Sequence, residues 1–319
     1  MTVQREDVLA ARDRVSSMID RTPVLQSDAL DRHVGTAVFL KCESFQKTGS
    51  FKARGACNAV ACLSSDERSR GVYTHSSGNH AQALAFAAHL HRIPCHVVMP
   101  RSAVQAKVAA TRAYGANIVF CDDSDAARRA AADQLGEETG AVFVHPHDDP
   151  NVIAGQGTAC LELLDEAGPL DVILAPIGGG GLLSGTILAA QGDEPCPRII
   201  GCEPAGADDA SRSLATGERI VEFTPRTIAD GLRTPLGDIP FTIIRSSVDR
   251  IATVSEDDIL AALWFAWERI KIVIEPSSAV ALAPLLNGSV DVKGQRVGVI
   301  VSGGNVDLTA VFTLLEGTV

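Results

Sequence analysis

The 319-residue sequence predicts an α/β fold built on parallel sheets, as two compact units or one large one. Three observations point there. Short β-branched runs alternate with alanine-rich helical stretches almost from end to end, the pattern that lays parallel strands beneath covering helices. Clusters of glycine and small polar residues fall where a strand candidate gives way to a helix candidate, which is where open α/β sheets hold their ligands. The length is about twice that of one ordinary domain.

In chain order, the strand candidates are 37–42, 71–75, 94–99, 117–121, 141–144, 170–177, 198–203, 250–253 and 296–301. Each carries β-branched or bulky apolar residues, such as Val97-Val98, Ile118-Val119, Val172-Ile173-Leu174 and Ile199-Ile200. Helix-like runs lie between them at 79–91, 103–114, 124–138, 152–166 and 255–271, rich in alanine, the strongest helix former. The least periodic stretch, 204–240, reads as an ordered excursion, because loops of that size inside a compact domain are usually functional. Three junctions stand out: Ser76-Ser77-Gly78-Asn79 after 71–75, Gly178 to Gly181 after 170–177, and Ser302-Gly303-Gly304-Asn305 after 296–301. Together they predict one composite site.

Composition narrows the partners. With 46% hydrophobic residues, 21% charged residues and a net charge of −11, the chain is neither a disordered polyelectrolyte nor a basic nucleic-acid binder. An anionic partner has to be met locally. The eight cysteines are scattered without a CxxC pair, which predicts buried thiols in a reducing cytosol rather than a disulfide framework or a zinc site. The charged, amphipathic start lacks the apolar core of a signal peptide, so a cytoplasmic location is expected. Residues 172–190 carry no charge over nearly the length of a membrane span, yet contain a proline and five glycines. A buried strand, a glycine loop and a helix start is the better parse, and no membrane partner is expected.

Gly178, Gly179, Gly180 and Gly181 lie between an apolar strand and a helix beginning near Leu182. Backbone N–H groups aimed from a helix N-terminus make an anion cradle suited to a phosphate. A tight turn for close packing is the bland alternative, but four consecutive glycines exceed that need. The unit ends in Glu203 and so imitates a dinucleotide fold, although its glycines do not fit the GxGxxG register. Lysine is scarce, six against 22 arginines. Lys52 follows Thr48-Gly49-Ser50-Phe51 at a predicted helix start, where burial and the positive helix end both favour a neutral, nucleophilic amine. A solvated helix lysine is its plain alternative.

A Schiff-base lysine together with a phosphate cup is what a pyridoxal phosphate enzyme needs. The segments KCESFQKTGSFKARGA (41–56), THSSGNHAQALA (74–85), PIGGGGLLSG (176–185) and VSGGNVDL (301–308) closely resemble the serine racemase and serine/threonine dehydratase family of fold-type II pyridoxal phosphate enzymes. The likeness continues through YGANIVFCDDSDAARR, HPHDDPNVIAGQGT, GCEPAGADDA, IADGLRTPLG and IEPSSAVAL, and so spans nearly the whole chain. It implies a tryptophan synthase β-like fold of two parallel-sheet domains, the smaller (71–148, mobile) inserted into the larger (1–70 plus 149–319), and a homodimer.

The resemblance also implies roles. Lys52 would carry the cofactor, Phe51 would pack beside its ring, Asn79 would bond the ring oxygen, and Gly178 to Gly181 with Leu182 would hold the phosphate. Ser302 would face the pyridine nitrogen; a serine hydroxyl does not keep that nitrogen protonated, which favours prompt β-elimination over a long-lived carbanion. Ser76, Ser77, Asn79 and His80 would seat the substrate carboxylate at a helix N-terminus, with Arg128 reaching the substrate. Ser77 is of the racemase type, placed to exchange a proton on the face of Cα opposite Lys52; without the resemblance, Ser76-Ser77 would read as a helix cap.

Glu203, Asp209 and the backbone oxygen of Ala207 match a divalent-cation site of the racemases, with oxygen ligands suited to Mg²⁺ or Ca²⁺. A helix cap at Asp208 or Asp209 is the alternative. Histidines 75, 80, 145 and 147 are expected in turn and core roles, and His147 departs from the Asn or Phe that relatives carry there. The implied activity is a pyridoxal phosphate-dependent ammonia-lyase. It would convert L-serine or L-threonine to a 2-oxo acid and ammonia, with the cofactor phosphate protonating the leaving hydroxyl and with serine racemisation at the same site. A dehydratase of 3-hydroxyaspartate or phenylserine is the alternative in this fold. A nicotinamide-dependent oxidoreductase and a non-catalytic binding protein are the alternatives outside it. Only a short terminal helix, 305–316, is expected after Ser302, leaving no room for an appended regulatory domain.

Overall fold

The computed structural model describes residues 3–192 and 194–315. The chain opens with α1 (Arg5–Val15), β1 (Val24–Leu25), α2 (Asp28–Val34), β2 (Val38–Cys42), α3 (Lys52–Ala61) and α4 (Ser65–Arg70). It continues through β3 (Val72–His75), α5 (Asn79–His91), β4 (Cys95–Pro100), α6 (Gln105–Ala113), β5 (Asn117–Cys121), α7 (Asp125–Thr139) and β6 (Val142–Phe143). Next come α8 (Pro150–Ala167), β7 (Val172–Pro176), α9 (Gly181–Ala190), β8 (Arg198–Pro204), α10 (Asp209–Thr216), α11 (Asp238–Ser247) and β9 (Arg250–Val254). The last elements are α12 (Glu256–Phe265), α13 (Pro276–Leu286), β10 (Val297–Val301) and α14 (Leu308–Leu315).

The strands form two sheets. One runs β1-β2-β10-β7-β8-β9 and the other β5-β4-β3-β6, so every strand of the second sheet comes from residues 72–143. All pairings are parallel except β1 with β2, as expected of strands joined through crossover helices. In β2, β7 and β10 every residue is buried, the signature of strands covered on both faces. The covering helices are correspondingly apolar: α9 is buried along its whole length and α13 from Pro276 to Leu285.

The uncharged run 172–190 resolves into β7, a glycine turn and α9, and no helix among the described residues is long and apolar enough to cross a membrane. The helix expected over 255–271 divides, because α12 stops at Phe265 and a single π turn follows at Ala266–Ile270, closed by Lys271 in the left-handed region. The excursion 204–240 is ordered around α10 and short 3₁₀ turns at Ala205–Ala207 and Asp230–Leu232. The terminal helix begins at Leu308, later than expected, and residue 316 lies outside the described residues.

Candidate active site

The ends of β2, β3, β7 and β10 lead into the predicted site segments, so parallel pairing delivers them to the same edge of their sheets. From β2 the chain passes through two 3₁₀ turns before α3. In the second, Thr48 adopts φ +62° and Gly49 φ +73°. A β-branched residue in that region is strained, and strain of this kind persists only where surrounding structure enforces it. The enforcement comes from Asn305, whose Nδ2 donates to the Thr48 carbonyl at 2.7 Å. Ser50 bridges to Gly303, and the Phe51 N–H donates to the Ser302 carbonyl at 2.9 Å. The segment before Lys52 is thereby stitched to the segment after β10.

Lys52 is the first residue of α3. Its Nζ donates to the Pro146 carbonyl at 2.7 Å and lies 5.1 Å from the Phe51 ring centre. Burial pulls its pKa down to about 8, partly opposed by the negative charge of Glu275. The amine is thus still largely protonated at neutral pH, but it gives up its proton far more readily than an ordinary lysine.

Asn79 opens α5. Its Nδ2 donates to both oxygens of Glu275 at 3.0 Å, and its Oδ1 accepts from Asn305 Nδ2 at 2.9 Å. In the turn before it, the Gly78 N–H donates to Ser76 Oγ at 3.3 Å and Ser77 is half-buried. His80 is buried with Nε2 3.1 Å from the Val144 carbonyl, and burial holds its pKa well below the usual value. As the second helical residue, it still presents its backbone N–H at the open end of α5.

The glycine loop runs from β7 into α9. A Cβ on Gly179 would stand 2.1 Å from His147 Cγ, and one on Gly180, which has φ +87°, would stand 2.7 Å from Leu236 Cδ2 and Pro240 Cβ. Gly179 and Gly180 therefore have no room for a side chain, and Leu182 lies in the first turn of the helix that follows. His147 packs edge-on to His145, with ring centres 4.5 Å apart. Both are neutral, because burial lowers His147 well below the usual range and His145 to about 4. His145 Nδ1 accepts the Asp148 N–H at 2.8 Å, a turn role as expected.

Ser302 is buried, with its Oγ 2.9 Å from Ser278 Oγ. Ser278 in turn accepts the Gly303 N–H and donates to the Gly303 carbonyl, both at 2.7 Å. Sequence reasoning placed Asn305 at a site junction without a role, and passed over Ser278 and above all Glu275, whose carboxyl is pushed up to about 7 by burial against the lowering effect of Asn79. A cue to Glu275 was available: it is an acid set in the apolar run before Pro276, at the start of a helix.

The other predicted residues stand elsewhere. Arg128 is in the first turn of α7, where its charge acts on Cys121 and Asp123. Glu203, at the end of β8, accepts the N–H groups of Ala210 at 3.2 Å and Ser211 at 2.7 Å, so it caps α10 in place of Asp208 or Asp209. Asp209 Oδ2 accepts the Leu236 N–H at 3.0 Å. Burial raises the two carboxyls to about 8 and about 6. Among the described residues no group of three or more His, Cys, Asp or Glu is set to hold a metal ion.

A buried lysine amine, a side-chain-free loop at a helix N-terminus and a buried serine hydroxyl fit the aldehyde, phosphate and ring nitrogen of pyridoxal phosphate. Comparison with known proteins agrees. Residues 15–303 match the family model described as pyridoxal-phosphate dependent enzyme. The chain is 48% identical over 303 residues to the β-hydroxyaspartate dehydratase of Paracoccus denitrificans, covering 95% of this chain and 96% of that one. The crystal structure of serine racemase from Dictyostelium discoideum superposes with a TM-score of 0.93 at 46% identity, over 97% of this chain and 100% of that one. The crystal structure of a T.th. threonine deaminase does so with a TM-score of 0.89 at 45% identity, over 95% and 98%. The chain belongs to the pyridoxal-phosphate dependent enzymes, with the fold-type II architecture of the serine racemases and threonine deaminases.

Proposed function

We propose that the protein is an ammonia-lyase that converts a β-hydroxy amino acid, L-serine or L-threonine, to a 2-oxo acid and ammonium, with serine racemisation at the same site. The observation that carries this reading is the buried Lys52 amine, its pKa pulled down to about 8, directly after Phe51, whose N–H is bonded to the Ser302 carbonyl. Bound pyridoxal phosphate would supply the electron sink for charge developing at the substrate Cα. Gly178 to Gly181 and Leu182 would hold its phosphate, Asn79 its ring oxygen and Ser302 its ring nitrogen, with Phe51 beside the ring. The N–H groups at the start of α5, with Ser76 and Ser77, would seat the substrate carboxylate. The Lys52 amine would take the Cα proton on one face. The Ser77 hydroxyl would return a proton on the other, which inverts the centre. In elimination the β-hydroxyl would instead take up a proton and leave as water, and the released enamine would tautomerise to the imine and hydrolyse to the 2-oxo acid and ammonium.

Several accompanying features belong to the same proposal. Residues 71–148 would form a small mobile domain inserted between 1–70 and 149–319, whose closure would bring Ser77 and Asn79 over the ring and exclude water, and Arg128 would reach the substrate. The second sheet's confinement to residues 72–143 supports this division. A Mg²⁺ or Ca²⁺ ion would bind Glu203, Asp209 and the Ala207 carbonyl, with water completing the shell. A cytoplasmic homodimer is the expected form.

A second reading, 3-hydroxyaspartate as substrate, draws on the 48% identity to the β-hydroxyaspartate dehydratase. It also draws on Lys107, whose ion pair with Asp230 places a cation close enough to act on Glu275. The deciding assay follows pyruvate, 2-oxobutyrate, oxaloacetate and D-serine from both serine enantiomers, L-threonine, phenylserine and the hydroxyaspartate diastereomers. Turnover of hydroxyaspartate without pyruvate from L-serine would replace the first reading by the second. A purified protein that takes up no pyridoxal phosphate, and shows no visible absorbance lost in Lys52→Ala, would sink both.

A further inference from the structure

Glu275 is a buried acid that the scheme above does not use, although the side chain that donates to it lies at the heart of the site. Both of its oxygens are 3.0 Å from Asn79 Nδ2, 196 residues away in sequence. Its own N–H donates to the Gly303 carbonyl at 3.0 Å, which anchors it to the segment after Ser302. The contact also joins the two sheets, since Asn79 opens a helix after β3 while Glu275 precedes a helix packed on β7 and β8.

The polarity of this network is set from both ends. The Thr48 carbonyl can only accept, so the Asn305 amide must present Nδ2 to it; the same nitrogen donates to Asn79 Oδ1. At the other end the Glu275 carboxylate accepts from Asn79 Nδ2. Rotating the Asn79 amide by half a turn would oppose oxygen to carboxylate and nitrogen to nitrogen, losing both bonds. Two oxygens of one carboxylate subtend a narrow angle at Nδ2, so a single hydrogen serves both and the second hydrogen is left over. An asparagine free of these partners would sample either orientation.

We infer that Glu275, acting with Asn305, is a positioning residue that locks the Asn79 amide so that its second N–H is available to the ring oxygen of the cofactor. This inference rests on the proposed contact between Asn79 and that oxygen. The groups facing Glu275 are Lys52, Asn79, Lys107, Asp230 and the Asn305 N–H, and the first and third carry the positive charge that offsets its own.

The test is a titration of apoprotein with pyridoxal phosphate, reading affinity and the absorption maximum of the bound form, on wild type, Glu275→Gln, Asn79→Ala and the double variant. Gln can present only one acceptor, so E275Q is expected to bind roughly tenfold more weakly and to shift the band in the same direction as N79A. The double variant is expected to be no worse than the weaker single one, because both act on one contact. Wild-type affinity and band in E275Q, or losses that add in the double variant, would overturn the inference. Where E275Q does not fold, Asn305→Ser carries the same comparison from the other end of the amide. Wild-type protein that binds no cofactor would instead remove the reading beneath it.

Discussion

Gly155 and Gly55 meet back to back where α8 crosses α3: a Cβ on Gly155 would lie 2.6 Å from Gly55 Cα and 2.7 Å from the Arg54 carbonyl oxygen. On the other side of α8, Gly157 meets Gly185 of α9 in the same way. Since α3 begins at Lys52 and α9 at Gly181, one helix lies between the amine and the glycine loop proposed to hold the phosphate. Backbone atoms cannot yield as a flexible side chain would. Gly155→Ala is therefore expected to cost about 1–3 kcal/mol of stability and to weaken pyridoxal phosphate uptake at the same time. Denaturant melts and a cofactor titration check both; unchanged uptake would mean that the spacing is set elsewhere.

Behind Lys52 lies a buried ionic cluster. Arg54 forms two forks, to Glu43 at 2.7 and 2.8 Å and to Glu162 at 2.8 Å through both terminal nitrogens, while Lys41 adds a bond to Glu162 at 2.7 Å. Burial alone would raise the Glu162 carboxyl, but Arg54 and Lys41 hold it below its usual value. Arg54→Leu would strand one buried carboxylate and leave the other with Lys41 alone. The expected loss is about 3–5 kcal/mol, measured by urea unfolding. A loss below about 1 kcal/mol would show that the acids simply take up protons.

The Lys52 pKa of about 8 has two consequences. Capture of pyridoxal phosphate needs the neutral amine, so its rate is expected to rise with pH through a midpoint near 8, not near the ordinary 10.5. For apoprotein stability the sign follows from a depressed folded value: the contribution is full above the unfolded pKa and is lost as pH falls through about 8. Glu275, raised to about 7, works the other way, its contribution being full below 4.5 and lost as pH rises through 7. The stability difference between wild type and Lys52→Met, followed from about pH 6 to about pH 11, isolates the lysine. A difference independent of pH would show that Lys52 titrates at its ordinary value.

Much of this architecture was legible because it is locally encoded. The alanine-rich run 79–91 is α5 to the residue, and the run 117–121 is β5. The three junctions of glycine, serine and asparagine do end parallel strands. What local pattern does not carry is pairing across long separations. Arg54 sits among small residues and reads as a surface helix arginine, since its partners at 43 and 162 meet it only in the fold. Glu275 and the partners of Asn305 escaped for the same reason, whereas β1 escaped because its two residues are too few to show a period.

The last pairing of this kind bears on Ser302. The Ser278 hydroxyl has one proton and three neighbours: it accepts from the Gly303 N–H, and its proton goes either to the Gly303 carbonyl or to Ser302 Oγ. With the proton on the carbonyl side, Ser302 must donate to Ser278 and has nothing to offer a ring nitrogen. With the proton turned toward Ser302, the Ser302 hydroxyl is free to donate to the ring nitrogen proposed to face it. The direction of the Ser278 proton thus fixes the direction of the Ser302 proton. Ser278→Ala removes the bond at the cost of leaving the buried Gly303 N–H without its acceptor. Pyridoxal phosphate affinity is expected to fall about fivefold, the worth of roughly 1 kcal/mol for one hydrogen bond, while Ser302→Ala loses more. If the Ser278 hydroxyl acts only through Ser302, its removal in a Ser302→Ala background is expected to change the absorption of the bound cofactor no further; an additional shift would show that Ser278 reaches the ring by another route.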